Sequence, residues 1–178
     1  MRLMITGSQG SGKTTQAKII AEKLGLCLVK TGDLVRSKAQ EDSEAGKSLR
    51  HSLETGELSD DSIVAELLQE ELKKPKCQNG VVVDGYPRRV SQLERFDPKF
   101  DQVFYLQVSD QTAIDRMISR GREDDVSPII EERLKNFHDQ TQKVLDYYQN
   151  QGVLTLIDGE RDIEGVTRDI LEALKNDS

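Results

Sequence analysis

Nine residues near the start of the chain, GSQGSGKTT at 7 to 15, restrict its possible folds more than any others. They follow the apolar run LMI at 3 to 5 and lead into a helical pattern over 14 to 24, in which Ala17, Ile20, Ala21 and Leu24 share one face. The spacing is G-x-x-x-x-G-K-[ST], in the strand, loop, helix order that this motif requires. Glycines at 7, 10 and 12 let the backbone turn its N–H groups inward, and the helix start adds partial positive charge. The stretch therefore reads as a phosphate-binding loop. Gly10, Ser11 and Gly12 cradle the phosphates, Lys13 reaches toward the β- and γ-phosphates, and Thr14 or Thr15 offers a hydroxyl near Mg²⁺. A plain glycine-rich turn is the competing reading, and the completeness of the motif argues against it.

Four more apolar runs follow: LCLV at 26 to 29, VVV at 81 to 83, VFYL at 103 to 106 and VLTLI at 153 to 157. They are continuous rather than alternating, as expected of parallel strands buried on both faces. Helical patterns lie between them. Residues 60 to 73 open at Ser59 or Asp60. Residues 128 to 149 have Ser127 as cap, Pro128 at the first position and an apolar stripe of Ile130, Leu134, Phe137, Val144, Leu145 and Tyr148. A last helix spans about 163 to 175, and residues 31 to 80 hold several short helical patterns that suggest a small helical subdomain. Strands alternating with helices imply a doubly wound α/β domain with right-handed crossovers. At 178 residues the chain suits one such domain.

Composition excludes several classes of protein. A net charge of -7 argues against a general nucleic-acid binder, so any anionic ligand must meet a local concentration of positive charge. No apolar run approaches the ~18 residues of a membrane span, and MRLMITG runs into the glycine motif without a signal-peptide pattern, so the expected location is cytoplasmic. Cys27 and Cys77 read as separate thiols rather than a disulfide or ligands, and no Cys or His cluster supports zinc. His51 and His138 read as ordinary polar residues without partners.

Three further segments carry a resemblance. TGDLVR at 31 to 36, VVVDGYPRR at 81 to 89 with Gln92 beyond, and DRMISRGREDD at 115 to 125 followed by EER at 131 to 133 resemble the nucleoside monophosphate kinases, most closely the adenylate kinase family. The match continues in order to LIDGER at 156 to 161. It implies a three-layer α/β/α P-loop NTPase fold with a five-stranded parallel sheet. The core would span 1–30, 60–115 and 128–178, with a helical NMP-binding subdomain over about 31–60 and a short lid over about 116–127.

The resemblance also implies the reaction ATP + AMP ⇌ 2 ADP with Mg²⁺, and it assigns roles to residues. Arginine suits the work, because its guanidinium stays charged and forks onto two phosphate oxygens. Arg36 and Arg88 would grip the AMP phosphate, Lys13 and Arg120 would address ATP, and Arg122 and Arg133 would converge on the transferring group. Asp84, ending its strand run, would orient waters of Mg²⁺, with an Asp opening a turn at Gly85 as the competing reading. Tyr86-Pro87 suggests a cis peptide aiming Arg88. Asp33 would join the same water network or cap the following helix. Thr31 and Gln92 stand where the family holds the AMP adenine, whereas UMP/CMP kinases tend to have Ala and Asn. Glu57, Leu58 and Ser59 would offer backbone to that nucleoside, with Leu58 and Val64 as apolar walls. Arg116 would pack beside the ATP adenine and Arg161 would contribute to the donor base, leaving ATP and GTP unseparated.

Two features depart from the family's usual pattern. Thr14 stands where a glycine is usual. Only Gly121 separates Arg120 from Arg122, so the lid is close to minimal and the site more open to water unless a neighbouring subunit covers it. Asp124 and Asp125 would orient the lid arginines or their hinge. The expected partners are the small molecules ATP, AMP and ADP, with no nucleic acid or membrane, and the default state is a monomer. The competing readings are a UMP/CMP or broad-specificity kinase, and a nucleotide-dependent switch that transfers nothing.

Overall fold

Parallel strands need long crossovers, and each apolar run here is followed by enough helix to bring the chain back to the same end of the sheet. The computed structural model describes residues 1–121 and 127–176. Its strands are β1 (Arg2–Thr6), β2 (Cys27–Lys30), β3 (Val81–Asp84), β4 (Gln102–Gln107) and β5 (Leu154–Asp158). They pair in parallel in the order β2-β3-β1-β4-β5. The described helices are α1 (Lys13–Leu24), α2 (Thr31–Ala39), α3 (Glu44–Thr55), α4 (Asp61–Leu72), α5 (Val90–Arg95), α6 (Asp110–Arg120), α7 (Ser127–Asn136), α8 (Gln142–Asn150) and α9 (Ile163–Asn176). None of them is long and apolar enough to cross a membrane.

Successive strand residues feed opposite faces of the sheet. Leu3 and Ile5 of β1 pack with Ala17 and Ile20 of α1 and with Ile170 of α9. Met4, between them, belongs to the other core with Leu49, Leu68, Tyr86 and Val144 from α3, α4, the β3–α5 loop and α8. β3 divides in the same way, Val82 to the first core and Val81 and Val83 to the second. Helices thus cover both faces, giving the three layers expected. Leu3, Met4 and Ile5 have no exposed surface, and burying each such side chain contributes roughly 1.5–3 kcal/mol. The outer strands depart from that pattern: β5 is an edge strand, and Leu156 is 60% exposed, so its apolar run is not covered on both faces.

Local chemistry sets the helix ends. Asp60 rather than Ser59 caps α4, its Oδ1 accepting from the N–H groups of Ser62 and Ile63 at 2.9 and 3.2 Å. Gly25 closes α1 in the left-handed conformation, φ 64. The expected single helix over 128 to 149 contains a π-helical turn, Phe137–Thr141, between α7 and α8. Its predicted apolar stripe is buried throughout. Ser127 is already helical, and what precedes it lies outside the described residues.

Two sequence expectations are corrected by tertiary structure. Cys27 and Cys77 are joined as a disulfide, with Cα atoms 4.9 Å apart. Cys27 opens β2 opposite Val81, and the 3₁₀ turn Pro75–Cys77 brings the chain into β3 beside it. His138 also has a partner: its Nε2 lies 3.0 Å from both carboxylate oxygens of Asp110, tying the π turn to the start of α6.

Candidate active site

The outgoing connections of neighbouring strands β1 and β3 leave in opposite directions, one toward β2 and the other across β1 to β4. A crevice opens where such connections diverge, outside the carboxyl ends of the strands. Ile5 of β1 and Lys30 of β2 both lie opposite Asp84 of β3, so the loop after Thr6 faces the Asp84-Gly85-Tyr86-Pro87 turn.

The glycine loop has the backbone its sequence requires. Gly10 and Gly12 have φ of 85 and 89, and a Cβ on Gly10 would sit 2.2 Å from the Ala113 carbonyl oxygen of α6. Gly10→Ala is therefore expected to destabilise the fold by well over about 1 kcal/mol and to distort the loop. Thermal unfolding together with ATP titration checks this, and a variant with unchanged stability and affinity contradicts it. Gly12 begins α1 without a side-chain cap, leaving first-turn N–H groups for a ligand. The Ser11 hydroxyl is buried without a partner, and Lys13 Nζ donates to the Ser8 carbonyl at 3.0 Å.

The two threonines now separate. Thr14 Oγ1 donates to Asp84 Oδ2 at 2.5 Å, whereas Thr15 is exposed on the next position of α1. Asp84 is 6% exposed, and its Oδ1 has no hydrogen-bond partner. Unsatisfied buried carboxylate oxygens are rare and call for a ligand. An open carboxylate oxygen beside a hydroxyl fits a hydrated divalent cation. Among the described residues no group of three His, Cys, Asp or Glu side chains could hold a metal ion.

Across the crevice, Lys13, Arg36, Arg88, Arg120 and Arg133 all line one cavity. This is the local positive field that a chain of net charge -7 needs for an anionic ligand. Arg88 is half-buried there, with Nε donating to Gly85 O at 3.2 Å. Burial pulls its pKa down, the charges of Arg133 and Arg36 pull the same way, and Asp84 opposes them. The guanidinium is thus short of negative charge in the unliganded protein.

Arg36 is held by Asp33, whose carboxylate is also bound by Lys30. Burial works against ionising Asp33, but the hydrogen bonds and charges of Lys30 and Arg36 outweigh it and hold its carboxyl below the ordinary range. Asp33 therefore does not cap α2, whose cap position is Lys30; its carboxylate braces Arg36.

Thr31, Glu57, Leu58, Ser59, Val64, Gly85 and Gln92 line the same cavity. The Thr31 hydroxyl is buried without a partner. Gln92, 2% exposed, accepts the Arg88 N–H at 2.7 Å through Oε1. The 56–59 loop is fixed by Arg89, which donates to Ser59 O at 2.6 Å and pairs with Asp61 at 2.5 Å.

The remaining predicted site residues lie around this cavity. Tyr86 is fully buried with its hydroxyl 2.7 Å from the carbonyls of Gln92 and Phe96, its bond to Pro87 is cis, and neither residue is among those lining the cavity. Arg116 bridges the phosphate loop and the end of β5, donating to Ser11 O at 3.4 Å and Gly159 O at 3.1 Å. Arg161 pairs with Asp169 of α9, outside the cavity lining. Arg122, Asp124 and Asp125 lie outside the described residues. The sequence did not single out Lys30, Gln9 or Asn136, all of which line the site. Lys30 was findable, because it ends a strand at the sheet's carboxyl edge; Asn136 carried no local signal.

Comparison with known proteins agrees with this geometry. A family model described as adenylate kinase matches residues 5–153. An adenylate kinase of Trichodesmium erythraeum is 36% identical, with 96% of this chain and 95% of that protein covered. One from Prochlorococcus marinus is also 36% identical, covering 97% and 96%. One from Caldicellulosiruptor bescii is 30% identical over 212 aligned positions, covering 98% and 99%, so it carries segments that this chain lacks. With a phosphate loop, a buried Asp84 and six cationic side chains lining one cleft, and with the family model matched over residues 5–153, the chain belongs to the adenylate kinase family.

Proposed function

We propose that the chain catalyses ATP + AMP ⇌ 2 ADP, with the residues of the cleft in the following roles. The observation that carries the reading is that Lys13, Thr14 and Asp84 on one side, and Arg36, Arg88 and Arg133 on the other, line a single cavity. A nucleoside triphosphate and a nucleoside monophosphate would meet there phosphate to phosphate. The α1 N-terminus and the glycine-loop amides hold the ATP phosphates, with Lys13 on the terminal ones. Arg36 and Arg88 fork onto the AMP phosphate, and Arg120, Arg122 and Arg133 complete the positive ring.

An AMP phosphate oxygen then attacks the γ-phosphorus in line. The bond from that phosphorus to the β–γ bridging oxygen breaks, and both products are ADP. The attacking phosphate is already ionised, so no side chain need remove a proton. Catalysis is positioning and charge stabilisation by preorganised donors. Thr14 and Asp84 would hold Mg²⁺ through hydroxyl and water. The ion, when bound, neutralises phosphate charge. Asp84→Asn is expected to lower activity by about 10- to 100-fold and to raise the Mg²⁺ concentration needed for half-maximal rate. Unchanged Mg²⁺ dependence overturns the assignment.

The acceptor base sits between Leu58 and Val64, with the Thr31 hydroxyl and the Gln92 amide NH₂ as polar contacts. Oε1 of Gln92 is committed to Arg88, so the amide donates, which suits a ring-nitrogen acceptor as on adenine. Initial rates with AMP, UMP and CMP test this reading: AMP should be preferred, and a faster rate with UMP or CMP assigns the chain to the pyrimidine-directed alternative.

The nucleotides are the only partners proposed, with a monomer in the cytoplasm as the setting. The Cys27–Cys77 bond runs against that location, since reducing compartments disfavour disulfides.

A further inference from the structure

Both backbone groups of Arg88 are held by side chains, and one holder is distant in sequence. The Arg88 N–H donates to Gln92 Oε1, and its carbonyl accepts from Thr141 Oγ1 at 2.9 Å. Thr141 is 5% exposed and ends the π-helical turn. Helical hydroxyls ordinarily donate back one turn. Ser52 and Thr55 do so here, to Ser48 O at 3.2 Å and His51 O at 3.0 Å. Thr141 instead directs its single proton out of its own helix to Arg88.

The π turn explains how it reaches. Arg133 and Thr141 are eight residues apart. In a regular α-helix that spacing leaves them roughly 80° apart around the axis. A π turn takes up about one extra residue, which brings them to within roughly 20° of each other. A smaller pocket that shares residues with the main cavity shows the result: Arg133, Phe137 and Thr141 line it together with Lys13, Gly85 and Arg88.

We propose that Thr141 is a positioning residue for phosphoryl transfer. Through the π turn, one helix carries Arg133 directly and fixes Arg88 by its carbonyl, so the two guanidiniums keep one separation as the phosphoryl group passes. This rests on the roles given to Arg88 and Arg133 above. Small misplacements of such groups cost rate rather than binding.

The test uses Thr141→Val, which keeps the shape and removes the hydroxyl, beside Thr141→Ser, which keeps the hydroxyl. The valine variant should lose about 10- to 100-fold in kcat with KM for AMP changed less than about 3-fold, and serine should restore kcat to within about 3-fold. If the valine protein does not fold, Thr141→Ala is read in its place. In an Arg88→Ala background the Thr141→Val substitution should have no further effect on kcat, whereas a purely structural role would add its own loss. Retained kcat in Thr141→Val, equal losses in valine and serine, or additivity with Arg88→Ala overturns the proposal. If Arg88→Ala alone keeps full turnover, the failure lies in the role of Arg88 itself.

Discussion

Arg88→Ala is expected to lower kcat by about 10²- to 10³-fold with little loss of folding stability. The loss follows from geometry: Arg88 lines the cavity and is aimed by bonds to its N–H, its carbonyl and its Nε. The stability follows from electrostatics. Burial and the charges of Arg133 and Arg36 disfavour the Arg88 cation and Asp84 favours it, with the balance unfavourable, so its removal costs the fold little. Steady-state kinetics and thermal unfolding on one preparation read both effects. A fall of many degrees in Tm with turnover retained makes Arg88 a structural residue.

Lys13→Ala is expected to lower kcat by a similar factor, about 10²- to 10³-fold, with a smaller rise in KM for ATP. The glycine-loop amides and the uncapped start of α1 continue to bind phosphate without it. What disappears is the one flexible cation of the loop, whose Nζ rests at Ser8 O, 3.0 Å away. Its proposed partner is charge that shifts as the phosphoryl group moves. A raised KM with unchanged kcat would mean that Lys13 holds ATP equally in the ground and transition states.

The phosphate loop was legible because its chemistry acts through backbone, and backbone of that shape needs glycine at fixed offsets. Asp84 was legible for a related reason: it ends an apolar run, and such ends face the crevice of a parallel sheet. The choice between Thr14 and Thr15 was not, because it depends on the rotational phase of α1, which places only Thr14 against Asp84. The pairing of Asp33 with Lys30 and Arg36 was not legible, because Lys30 belongs to the preceding strand. The Cys27–Cys77 bond and the His138–Asp110 pair span 50 and 28 residues, separations over which local pattern carries no information. Thr141 falls in the same class: its spacing reads as ordinary helix, and only the π turn gives it a function.

The central claim is that this cleft passes a phosphoryl group from ATP to AMP. The most direct measurement follows ADP, inorganic phosphate and ATP together, with Mg²⁺ present and AMP varied. The account predicts that ADP forms at a rate that rises and saturates with AMP, two ADP for each ATP consumed, with little phosphate released. ATP consumption indifferent to AMP, with one phosphate released for each ADP, would contradict it.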